Sequence, residues 1–203
     1  MKKGKTGYYS RKCRGESYRP PKRTIIILCE DSKHEPSYFK AIRQERHLRT
    51  VKIEIISGQH GMEPRTLVRN ARELKIEREV DDVWCVFDSD QRDYIVEVIT
   101  EAKKEGLSVA FSNPCIELWF FLHFKYSSAT RTQKEMKKII ETYIKNYNEE
   151  MDIYGKLQNY KDAIKRAMKL RKHHCTCGNP DTSNPSTGVD RLVSLLFKLK
   201  DQS

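Results

Sequence analysis

The segment TIIILCEDSKHEPSYF, residues 24–39, decides how the rest of the chain is read. Its opening apolar run, Thr24 to Cys29, shows no polar alternation, as expected of a strand covered on both faces of a parallel sheet. Glu30, Asp31 and Ser32 follow, then a helical pattern with Pro36 in its first turn and Tyr38, Phe39 and Ile42 on one face. The same unit of strand, polar turn and helix recurs downstream. Val51 to Ile56 alternates apolar with charged residues, predicting a more exposed strand. A Gly58-Gln59-His60-Gly61 turn leads to a helix opened by Pro64, with Leu67, Val68, Ala71 and Leu74 on one stripe. A third strand, Val83 to Phe87, precedes a helix carrying Ile95, Val98, Ile99 and Ala102 and stopped by Gly106. A fourth strand, Leu107 to Phe111, feeds a helix from Cys115 to Phe124. This alternation predicts an α/β fold, a Rossmann-like and mostly parallel sheet flanked by helices.

Beyond Lys125 the pattern turns helical. One stripe holds Met136, Ile139, Ile140, Tyr143, Ile144 and Tyr147, a weaker helix falls near 156–172, and Val189, Leu192, Val193, Leu196 and Leu199 mark the last. A Cys/Gly/Asn/Pro-rich loop, 173–187, separates the final two. Three segments are therefore expected: a flexible basic arm at 1–23, an α/β core at 24–125, and a helical extension at 126–203 packed on that core. A chain of 203 residues and 23.9 kDa has room for one such core but not for two large domains.

The longest apolar run, Leu118 to Phe124, contains His123 and falls far short of the roughly 20 residues of a bilayer span. Lys-rich sequence follows Met1, where an export signal would carry an apolar stretch. The expectation is a cytoplasmic protein without membrane contact. Its six cysteines form no disulfide framework, since Cys29 and Cys85 sit inside strand-like runs where a free thiol packs as a small hydrophobe. His173, His174, Cys175 and Cys177 cluster in the late loop, but no second pair of ligands lies nearby to complete a zinc site, so the cluster is read as loop.

The net charge of +11 is unevenly placed. Residues 1–23 carry nine Lys and Arg against Glu16 alone, a local charge of +8, interleaved with Tyr8, Tyr9 and Tyr18. Such a segment suits phosphates and stacked bases, with binding that weakens as salt rises. The candidate nucleic-acid contacts are Lys12, Arg14, Arg19, Lys22 and Arg23, with Arg65 from the Arg65, Arg69 and Arg72 row at helical spacing. That row faces either phosphates or water.

In a parallel sheet the strands end at one edge, and ligands bind in the crevice there. Glu30 and Asp31 follow the first strand, Asp88 and Asp90 the third, and Asn113 and Glu117 the fourth. Carboxylates gathered in this way repel unless a cation compensates them, and hard oxygen ligands favour Mg²⁺ or Mn²⁺. Asp88-Ser89-Asp90 could instead cap the next helix, and Glu117 could serve a helix dipole. His34 and His60 are candidates for phosphate contact or proton transfer, although lone loop histidines are commonly surface residues. His123, Trp119, Phe120 and Phe121 read as core. Gly4-Lys5-Thr6 lacks the upstream glycine and strand of a P-loop, and no GxSxG elbow is present.

Four motifs in order, ILCEDSKHEPSYF (27–39), VFDSDQ (86–91), SNPCIELWFFLHF (112–124) and NPST (184–187), resemble the RloB-like family, whose core is similar to the TOPRIM domain. The resemblance covers most of residues 22–203. It implies a TOPRIM-type glutamate at Glu30, a DxD pair at Asp88 and Asp90, and a second glutamate at Glu35. Asp31 stands where the family usually has glycine, and His34 where it usually has threonine. By this resemblance Glu30, Asp88 and Asp90 would hold one or two Mg²⁺ or Mn²⁺ ions, with Glu30 or Glu35 as general base; Glu117 joins the candidate ligands from its place after the fourth strand. The implied function is a metal-dependent nuclease that cuts RNA, including tRNA, or DNA in anti-phage defence, beside an RloA-like ABC/SMC-type ATPase. A non-catalytic nucleic-acid or nucleotide sensor subunit of such a complex is the alternative. A topoisomerase would need a tyrosine-bearing partner domain for which the length leaves no room. Whether the chain works as a homo-oligomer is left open.

Overall fold

The computed structural model describes residues 23–46, 51–57, 62–90, 93–148, 151–157, 159–175 and 179–200. Four parallel strands, β1 (Arg23–Cys29), β2 (Val51–Ser57), β3 (Asp82–Asp88) and β4 (Ser108–Asn113), and a two-residue β5 (Ser186–Thr187) form one sheet in the order β2-β1-β3-β4-β5. Only β5 runs antiparallel, pairing Thr187 with Ser112 and Ser186 with Asn113. The helices are α1 (His34–Arg46), α2 (Pro64–Arg78), α3 (Ile95–Lys104), α4 (Glu117–Leu122), α5 (Gln133–Tyr143), α6 (Tyr160–His174) and α7 (Val189–Lys200), with one 3-10 turn at Tyr154–Lys156.

The unbroken apolar runs are explained by the two cores. Ile25, Ile27, Cys29, Trp84, Val86 and Ala110 join the core on the face of α1 and α4–α7. Their strand neighbours Ile26, Leu28, Val83, Cys85, Phe87 and Phe111 join the core beneath α2 and α3. Because successive side chains alternate across a strand, both faces must be apolar when both are covered. Among the described residues no helix is long and apolar enough to cross a membrane.

Beyond β4 the structure differs from the sequence pattern in three places. The stripe expected to run through Tyr147 stops at Tyr143, because Ile144 turns extended (φ −123°, ψ 103°) and breaks the hydrogen-bond ladder. The helix expected over Cys115–Phe124 is shorter, Glu117–Leu122. The loop expected over 173–187 is in part regular: His173 and His174 close α6, and Ser186–Thr187 forms β5. His174 is buried with its Nε2 3.0 Å from the Pro185 carbonyl oxygen, whereas Cys175 is exposed. Cys177 lies outside the described residues.

A bidentate ion pair ties this region down. Arg171 donates to both carboxylate oxygens of Asp190 at 2.7 and 2.6 Å and to the Thr187 carbonyl at 2.8 Å, thereby linking α6, β5 and α7. Asp190 is only 2% exposed, so removing its partner strands a buried charge. Arg171→Ala is expected to cost about 3–5 kcal/mol, and the further change Asp190→Ala to restore part of that, as read by urea unfolding.

Candidate functional site

The strand order reverses between β1 and β3, so the chain leaves β1 toward α1 on one face and leaves β3 toward α3 on the other. A crevice opens there at the carboxyl ends of the strands. Cys29 pairs with Val86 in the β1–β3 register, which sets Glu30 beside Asp88 although they are 58 positions apart. The Asp88 amide donates to Glu30 Oε2 at 3.1 Å, and the Glu30 amide donates to the Val86 carbonyl at 2.9 Å.

Glu30, Asp31, His34, Glu35, Asp88, Asp90, Cys115, Ile116, Glu117, Gln133 and Lys137 line a cleft of about 260 Å³. Glu35, in the first turn of α1, is 2% exposed and accepts from the Asp31 amide at 3.3 Å. Glu117 opens α4, is also 2% exposed, and accepts from the Tyr147 hydroxyl at 3.0 Å. Asp88 accepts at Oδ2 from the Ile116 amide at 3.2 Å, while its Oδ1 is shut off from solvent with no hydrogen-bond partner among the described residues. Asp90 sits in the left-handed region (φ 41°) and accepts from the Gln133 amide, which also donates to the Pro114 carbonyl.

The electrostatics follow from this crowding. Burial, then the charge of Asp88, then Glu30 and Asp31 hold the Glu35 carboxyl well above its ordinary value of 4.5, against the lowering effect of the Asp31 amide. Burial, then Glu117, and further Glu30 and Asp90, raise Asp88 in the same way, and the Ile116 amide offsets part of it. These carboxylates form an acidic cluster, with Lys137 on the same cleft wall.

Several sequence expectations change here. Asp88 and Asp90 do not cap α3, whose N-cap is Tyr94 with no side-chain cap bond. Neither carboxylate is wholly free, because Ile116 and Gln133 engage them. His34 is no surface loop residue: it starts α1, is 3% exposed, and stacks on Tyr147 at 5.2 Å between ring centroids. Its Nε2 lies 3.3 Å from the Asn148 carbonyl, and its Nδ1 lies 3.4 Å from the Tyr147 hydroxyl and 4.0 Å from Glu117 Oε1. Asn113 serves the loop, donating to the Thr182 carbonyl at 2.8 Å.

Of the basic candidates, the two that are described, Arg23 and Arg65, do not line the cleft. Arg23 pairs with Asp82 at 2.7 Å at the opposite edge of the sheet, seven residues or about 23 Å along β1 from Glu30. Arg65 lies over the Tyr94 ring at 4.5 Å and pairs with Glu97 at 3.3 Å, and Arg72 pairs with Glu105 at 3.5 Å, so two of that row face the acidic side of α3. Lys12, Arg14, Arg19, Lys22 and His60 lie outside the described residues. Gln133, Lys137 and Tyr147 were not legible as site residues. The first two are polar positions one turn apart on α5, and the third had the look of a core position on a stripe that in fact ends before it.

Among the described residues, no group of three or more His, Cys, Asp or Glu is arranged to hold a metal ion as it stands. The carboxylates of Glu30, Asp88, Asp90 and Glu117 fit Mg²⁺ or Mn²⁺ in kind: all are hard oxygens, and among the described residues Asp88 Oδ1 has no hydrogen-bond partner. In this geometry Gln133 occupies Asp90.

A model of the RloB-like protein family matches residues 25–196. The chain belongs to the RloB-like family. No curated protein and no solved structure matches it. The matched span of this RloB-like chain runs from β1 into α7 and includes every carboxylate of the cleft.

The raised carboxyls carry a pH signature. With the folded-state value above the unfolded one, Glu35 contributes stability that is present at acid pH and lost as pH rises through its folded value. Glu35→Gln removes that loss, so its melting temperature relative to wild type is expected to rise steadily from about pH 4.5 toward neutral, measured in EDTA.

Proposed function

We propose that this RloB-like protein is a Mg²⁺- or Mn²⁺-dependent nuclease, hydrolysing phosphodiester bonds of RNA, including tRNA, or of DNA as an effector in anti-phage defence. One observation carries this reading: Glu30, Glu35, Asp88 and Glu117 crowd one strand-end cleft, and Asp88 Oδ1 is buried there with no hydrogen-bond partner among the described residues. Clustered acids with raised proton affinity are costly to a fold and are commonly kept for chemistry. An RloA-like ATPase partner belongs to the same proposal and rests on the family resemblance alone, while the cytoplasmic setting rests on the cysteine placement in the sequence.

Glu30, Asp88 and Glu117 would hold the ion, joined by Asp90 once Gln133 releases it. A bound divalent ion supplies charge stabilisation at the phosphoryl oxygen and acidifies a ligated water. Glu35, buried beside Asp88 and with its proton affinity raised by that burial, is placed to take the proton of the attacking water. His34 is held by Tyr147 and the Asn148 carbonyl, and so shapes the wall of the cleft beside Glu117. The Gln133 contact to Asp90 favours a second reading, a non-catalytic sensor whose acidic cleft stays without metal.

Incubation of the purified protein with tRNA, plasmid and single-stranded DNA, with and without Mn²⁺, separates the two. Cleavage that requires the ion and falls roughly a hundredfold or more in Glu30→Gln and Asp88→Asn, with the fold retained, is the expected outcome. Binding without product, undiminished by EDTA, would assign the sensor role.

A further inference from the structure

A second cavity lies at the other end of α1, eleven residues or about 16 Å along the helix from Glu35. Tyr38, Glu45, Arg46, His123, Tyr154, Gly155, Leu157, Tyr160 and Phe197 enclose about 370 Å³, within the range of about 300–1,000 Å³ typical of small-molecule sites. Its walls are aromatic: Tyr160 packs on Phe197, and Tyr154 lies 5.8 Å from Tyr38 between ring centroids. The Arg46 guanidinium stands 3.7 Å from the Phe197 ring centroid.

Two buried donors in this cavity are unspent. Among the described residues, the Arg46 Nε is shut off from solvent with no hydrogen-bond partner. Tyr38, only 1% exposed, accepts the Trp119 Nε1 proton at 2.8 Å, and among the described residues nothing accepts its own hydroxyl proton. A buried donor left unmade costs free energy, so the cavity calls for a ligand that brings acceptors. Glu45, exposed on the rim and bonded by the Tyr154 hydroxyl, adds an acceptor for a ligand N–H. An aromatic lining with donors and an acceptor at its edges suits the apolar body and polar edge of a nucleobase.

We propose that this cavity binds a nucleobase, presented by a free nucleoside or by a base splayed from a single strand. The site uses none of the acidic cleft, so its occupancy is independent of metal and of cleavage. Trp119 reports on it, because its indole bonds to the Tyr38 hydroxyl that the ligand would engage.

The test is titration of the full-length chain in EDTA with each of the four common ribonucleosides and with a short single-stranded oligonucleotide. Tryptophan fluorescence and calorimetry are the readouts. Saturable binding of at least one nucleoside is expected, weakened about tenfold in Phe197→Leu and reduced in Tyr38→Phe. Gly155→Leu should abolish it without harm to the fold, since a Cβ at Gly155 meets nothing within 4 Å. Binding of the oligonucleotide alone, lost in Gly155→Leu, would support the site with a splayed base as its occupant. Binding that is indifferent to Gly155→Leu and Tyr38→Phe, or none up to the solubility of every nucleoside, would overturn the proposal.

Discussion

Like charges that cannot escape one another shape this molecule. Parallel pairing of β1 with β3 sets Glu30 against the amide of Asp88, and Glu35 and Glu117 enter the same crevice from the first turns of α1 and α4. Burial first, and then the neighbouring charges, raise the proton affinity of Glu35 and Asp88. Fixed dipoles offset part of that strain. Amides of Asp31, Asp88 and Ile116 point at three of the acids, and the Tyr147 hydroxyl at a fourth. What they do not supply is a full positive charge.

The C-terminal third is part of the same construction. Gln133 reaches Asp90 from α5, Tyr147 reaches Glu117 and His34 from the turn after it, and β5 extends the sheet beside β4. Arg171 fastens β5 and α7 to α6, holding the sheet edge next to the loop that Asn113 grips. A segment with the sequence character of an appendage therefore supplies one wall of the cleft and much of one hydrophobic core.

Legibility tracked the range of the interaction. The strands were plain because burial on both faces demands consecutive apolar residues, as Ile25, Ile26 and Ile27 show. Gly106 was plain as a helix stop because it occupies the left-handed region at φ 66°, where other residues are strained. By contrast His34 looks like any loop histidine, and only Tyr147, more than a hundred positions away, makes it a buried member of the site. Arg65 looks like a phosphate contact until α3 brings Glu97 and Tyr94 beside it.

Local patterning by itself determined the α/β class, the alternation of elements and the strand ends at which acids accumulate. These depend on neighbours within a few residues, whose spacing is written in the chain. The tertiary structure alone decided which acids share a crevice, which of them are neutralised by amides, and that an aromatic cavity with two unspent donors lies at the far end of α1. Those outcomes depend on strand order and helix placement, and electrostatic coupling acts through space between groups that the sequence keeps far apart.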